Sequence, residues 1–149
     1  MALNESMGKR RLIVIINHLF LILALLFGII GSSSGWTSSI LVAFWVSAAI
    51  VLITFYPLHV QTGLWRLAHT PVHRMDEREL QQTLGALRHA YILFTIVTLL
   101  VILTVILFEL GESTLLLVVF WILLYLAHTL PSSVLAWSIA YVPTQSEEG

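Results

Sequence analysis

The sequence predicts an all-α integral membrane bundle of four transmembrane helices. It would be a single domain over residues 1–149, built as two tandem hairpins with both termini cytoplasmic. Three observations predict it. Of 149 residues, 58% are hydrophobic and 10% charged, where a soluble domain has about 25% charged and 45–50% apolar residues. The mean hydropathy is +0.95. The charges are also segregated: no Asp, Glu, Lys or Arg occurs from Leu12 to Trp65, from His89 to Phe108, or from Ser113 to Ser146. Such stretches suit a hydrocarbon environment and exclude a soluble enzyme or a disordered tail. A net charge of −1 leaves no basic field for nucleic acid. The absence of cysteine excludes disulfides, thiolate metal sites and a cysteine nucleophile.

A spanning helix needs about 20 apolar residues. Four segments qualify, at about 12–31, 40–60, 91–110 and 115–142. The first follows Lys9-Arg10-Arg11 and resembles a signal peptide in that respect. Its apolar run exceeds the roughly 7–15 residues of a secretory h-region and has no small-x-small cleavage site, so a retained helix is expected. Gly31-Ser-Ser-Ser-Gly35 is expected to break the first pair and Gly111-Glu-Ser-Thr114 the second. The runs lack the alternation of barrel strands. Pro57 and Pro131 lie 17 and 16 residues after the starts of spans two and four, which suggests two hairpins each bent near its return.

All seven basic residues are Lys9, Arg10 and Arg11 in the N-terminal tail and Arg66, Arg74, Arg78 and Arg88 between spans two and three. Four spans put both groups on one side, which the positive-inside rule makes the cytoplasm. Trp36 is then at the outer boundary, and Trp65 and Tyr141 are near the inner one.

Residues 61–90 form the one sizeable polar region, expected as a cytoplasmic helical loop. Thr70 reads as an N-cap with Pro71 at the first helical position. Asp76, Glu77 and Glu79 lie early and Arg88 late, as the helix dipole favours. Leu80, Leu84, Leu87 and Tyr91 recur at helical spacing, so this helix should run on into span three with one apolar face, bent if anywhere at Gly85. Val60, Leu64 and Leu67 form a matching stripe, and the expectation is that the two stripes pack together. The surface formed by Asp76, Glu77, Arg78, Glu79, Leu80, Leu84, Leu87 and Arg88 is the candidate interaction site.

Met75-Asp-Glu-Arg-Glu79, followed by Arg88, Ala90 and Tyr91, together with Leu130-Pro-Ser-Ser-Val-Leu-Ala-Trp137, resembles a pattern in small four-helix bacterial inner-membrane proteins of no assigned activity. The similarity spans about 30 residues. It implies a bacterial inner-membrane location and carries over no catalytic residue.

Each span offers one histidine towards the cytoplasmic side: His18, His59, His89 and His128. Neutral imidazoles on facing helices are usual axial ligands of b-type haem, and His18 with His128 is the pair this reading would use. Against it, His59 and His89 are expected to be interfacial, while Asn17 and Thr129 can give interhelical hydrogen bonds. His69, His73, Asp76 and Glu77 offer metal-ligand chemistry, but in a cytosolic loop they are expected to be solvated, and no metal site is assigned. The small residues Ala43 and Ser47, the pair Thr95 and Thr98, and Gly28 suit close helix contacts. Apart from the histidines no ionisable group is buried within a span, Glu109 lying at the outer edge of the third, and no hydrolase motif occurs. The leading expectation is a non-enzymatic accessory or scaffold subunit without a cofactor, forming a homo-oligomer or joining a larger membrane complex. A haem b anchor for electron transfer is the alternative, and a small oligomeric transporter the third.

Overall fold

The computed structural model describes residues 7–61, 64, 70–71, 75–107 and 113–138. Among them are four long helices and no strand. They are α1 (Met7–Ser34), α2 (Ser38–Phe55), α3 (Glu77–Leu107) and α4 (Ser113–Ser138), with a π-helical turn at Tyr56–Gln61 continuing α2. All four are long and apolar enough to cross a membrane. The main pairings are α1 on α2, α3 on α4 and α1 on α4. The helices therefore follow the order α2–α1–α4–α3: two sequential hairpins joined through their first and last members.

Local chemistry moves several boundaries from their expected places. The first break does not begin at Gly31, since α1 continues through Ser34. Ser33 donates its hydroxyl to the Ile29 carbonyl at 2.9 Å, which keeps it compatible with the last turn. The chain turns at Gly35, whose φ of +89° is costly for any other residue. Thr37 then caps α2, its Oγ1 accepting from the Ile40 amide at 3.4 Å.

The third helix does not start at Pro71, which is non-helical. It starts at Glu77, with the Asp76 carbonyl accepting from the Leu80 amide at 2.9 Å. Asp76 is thus the N-cap, and Glu79 follows at capping-box spacing. The Asp-Glu-Arg-Glu run is accounted for as a helix-start signal with acidic residues at the positive end of the dipole. From there α3 passes unbroken through Gly85 into the span, as expected.

The two prolines behave differently. Pro57 sits in the π-helical turn, where the missing N–H coincides with a change of hydrogen-bond register. Pro131 lies inside α4 without ending it.

Among the described residues, two apolar clusters hold the bundle. Nearest the basic end, Leu58, Leu64, Ala86, Leu135 and Ala136 are packed with Ile13, Val14 and Val134. Deeper along the helices, Leu21, Val51, Ala90, Leu126 and Leu130 form the second. In these clusters α3 presents the small residues Ala86 and Ala90, which let its backbone approach closely. The expected packing of the two apolar stripes is therefore not what forms. Leu64 is buried against Ala86, while Leu84, Leu87 and Tyr91 are 52%, 39% and 73% exposed. Val60 is also exposed, and Leu67 lies outside the described residues.

The glycines of α1 have distinct contacts. Gly28 faces α4, where an added Cβ would meet Val118 Cγ1 at 3.0 Å, so the sequence expectation of a close approach holds. At Gly31 a Cβ would fall 2.7 Å from the Trp36 indole, which itself meets Phe44 edge-on at 5.8 Å. Gly31→Ala must displace that ring, and its expected cost is about 1–3 kcal/mol. Nothing lies within 4 Å of a Cβ at Gly85. Gly85→Ala should therefore be neutral or stabilising by up to about 1 kcal/mol. Unfolding of the two variants in a denaturing-detergent titration separates them, and equal stabilities would contradict the Trp36 contact.

Candidate functional site

Two features of the bundle bear on a site, a buried polar network and a groove. One is a sealed network that ties three helices. Asn17 of α1 is fully buried, and its Nδ2 donates to the Val51 carbonyl at 3.1 Å and to Thr54 Oγ1 at 2.8 Å. Its Oδ1 accepts from the Tyr125 hydroxyl of α4 at 3.0 Å. A carbonyl can only accept, so the amide orientation follows from Val51. Thr54 passes its own proton to the Ile50 carbonyl at 2.8 Å. Each polar atom of Asn17 is thereby used in a low-dielectric setting, where an unmade bond is costly.

A separate buried polar contact is made by His59. Its ring is fully buried and tilted against Phe55 with centroids 4.9 Å apart, and Nδ1 lies 2.6 Å from Ser132 Oγ. Ser132 donates its one proton to the Thr129 carbonyl at 3.0 Å, so His59 carries the proton on Nδ1 and donates it to Ser132. The sequence expectation that His59 is interfacial is thus corrected: it is a core residue. The π-helical turn explains this, because i to i+5 winding rotates the residues after Pro57 relative to an α-helical continuation.

The second feature is an apolar groove of about 700 Å³ between α1 and α3, floored by α4. Val14, His18, Leu21, Ile22 and Leu25 form one wall, and His89, Leu93, Val97 and Val101 the other. The floor includes Leu126, Leu130, Ser133, Val134 and Trp137. The groove exists because α1 and α3 both pack on α4 rather than on each other. Next to its basic end, Arg11 donates to the Trp137 carbonyl at 3.1 Å and lies over the indole at 5.1 Å from its centroid.

The structure does not bring His18 and His128 together. His18 lines the groove, whereas His128 is exposed on α4 and is not among the lining residues. Two positions after Leu126 and two before Leu130, it is turned about 200° from each. The histidine that shares the groove with His18 is His89, whose place the sequence left at the interface. Both are held alike: Nδ1 of His18 lies 2.9 Å from the Val14 carbonyl and Nδ1 of His89 lies 2.7 Å from that of Gly85. The carbonyls accept, so in the neutral rings Nδ1 carries the proton and Nε2 keeps its lone pair.

Of the expected interaction surface, Asp76, Glu77, Arg78, Leu84, Leu87 and Arg88 are exposed and Leu80 is half-buried, while the side chain of Glu79 is not described. His69 and His73 lie outside the described residues. Among the described residues no three His, Cys, Asp or Glu gather as a metal site. Of the small residues, Ser47 is buried and donates to the Ala43 carbonyl at 2.8 Å, and Thr95 donates to that of Tyr91 at 2.8 Å. Both bonds lie within one helix. No family model, curated protein or solved structure matches the chain.

Proposed function

We propose that the protein is a non-enzymatic subunit of the bacterial inner membrane that associates with a second copy of itself or with a larger membrane complex. The basic end faces the cytoplasm in this reading, and the surface it uses is the outer side of α3. The observation that carries it is the position of Leu84, Leu87 and Tyr91. They lie on the side of α3 away from Ala86 and Ala90, and exposed charges at Arg78 and Arg88 share the same helical segment. Apolar side chains interleaved with cations at the membrane boundary give a protein partner both burial and orientation. A helix held mainly by one neighbour also has surface to spare for another.

A photo-crosslinking residue placed at Leu84 in living cells tests this. The expected result is a discrete adduct with a protein, absent when the same residue is placed at Trp45, whose side chain is equally outward on α2. Leu87→Glu should remove the adduct while leaving the helical content intact. Adducts with lipid alone at both positions would overturn the proposal.

A further inference from the structure

The groove between α1 and α3 has polar groups that the folding of the bundle leaves unused, all placed towards one end. His18 and His89 stand on opposite walls, each with Nδ1 committed to its own helix and Nε2 able to accept a hydrogen bond. Ser133 lies on the floor, 4% exposed, and its Oγ has no hydrogen-bond partner. The reason is local: a serine in a helix normally donates to the carbonyl four residues back, and that of Thr129 already accepts from Ser132. The indole of Trp137 lines the same end. Beyond these groups the walls are aliphatic, and from His89 to Val101 the groove extends roughly 18 Å along α3 at 1.5 Å per residue.

This arrangement suits an elongated apolar molecule with an uncharged, hydroxyl-bearing head. Among the described residues, no charged one lines the groove. Arg11 at its basic end is already engaged by the Trp137 carbonyl and indole, so a phospholipid phosphate or the carboxylates of a porphyrin drawn among the apolar walls would be poorly compensated. Two acceptors on opposite walls match hydroxyl donors on two sides of a head, and the buried Ser133 hydroxyl can donate back to one of those oxygens. The Trp137 surface favours an aromatic ring over an aliphatic alcohol.

We propose that the groove binds a prenylated hydroquinone, its hydroxyls donating to Nε2 of His18 and His89, its ring beside Trp137 and its tail along Leu93, Val97 and Val101. The assignment is one of binding, and it uses a side of α3 other than the outward stripe, so it stands or falls separately from the association proposed above.

The test uses the full chain in phosphatidylcholine nanodiscs, titrated with decylubiquinol held reduced by dithionite. Binding is read from tryptophan fluorescence quenching, with Trp137→Phe identifying the responding indole. Saturable quenching is expected, weakened roughly tenfold in Ser133→Ala and in His89→Phe. His128→Phe should leave it unchanged. His89 is exposed, so its replacement tests the head contact without opening the core. Val97→Trp fills the groove and should abolish binding with the helical circular dichroism retained. Absence of saturation in the wild type would overturn the proposal, as would equal binding of decylbenzene, which has the tail without the hydroxyls. Quenching indifferent to all three groove variants would do the same. A Soret band in the purified protein that is lost in His18→Phe would assign the histidines to haem instead.

Discussion

Asn17→Ala is expected to destabilise the bundle by roughly 2–4 kcal/mol, a large change for a substitution of one uncharged residue. Three interhelical hydrogen bonds end on this side chain, two to α2 and one to α4. Each such bond within a membrane contributes about 0.6 kcal/mol on average and up to about 1.7. The buried volume vacated adds a cavity cost. The loss is also uneven. Thr54 and the Val51 carbonyl retain other partners within α2, whereas the Tyr125 hydroxyl loses the partner that brings it to α1. Tyr125→Phe removes one bond and should cost about 0.6–1.7 kcal/mol. In the Asn17→Ala background the same change should cost clearly less. Stability measured by steric trapping in bicelles gives both numbers. Additive losses would show that the two side chains act independently, contrary to the geometry.

His59→Ala should be comparably damaging, at about 2–4 kcal/mol, because it combines a cavity with a lost polar contact. The ring is fully enclosed, tilted against Phe55 and joined to Ser132 of α4. It is one of the links between the α2 hairpin arm and α4, a pair whose main helices meet chiefly through α1. A double-mutant cycle with Ser132→Ala isolates this link, and a coupling of about 0.6–1.7 kcal/mol is expected. Additivity within about 0.3–0.5 kcal/mol would mean that the 2.6 Å contact contributes nothing to stability. The variant also bears on the π-helical turn. If the turn exists to aim His59 at α4, protection from hydrogen exchange at Leu58–Val60 should fall in His59→Ala and stay unchanged in His128→Ala.

The sequence by itself determined the membrane class, the four spans and the continuity of the loop helix with span three. These follow from quantities that add along the chain, since hydropathy over about 20 residues sums one dimension of the structure. The presence of Gly28 at a close approach and of Asn17 in an interhelical role was legible for a similar reason. A glycine or an amide in a hydrocarbon span has few other physical uses.

What the sequence left open is the rotation of each helix about its own axis. Leu80, Leu84, Leu87 and Tyr91 form an apolar face by spacing alone, but spacing does not say which way that face points, and the alanines that permit close approach turned in instead. The same freedom decided the histidines. His18, His59, His89 and His128 have similar depths in sequence, yet α4 carries His128 outward, the turn after Pro57 carries His59 inward, and His18 meets His89 across a groove. Periodicity sets which residues share a face. Only contacts between helices distant in the chain decide where that face points, so the tertiary structure alone selected which imidazoles share a site.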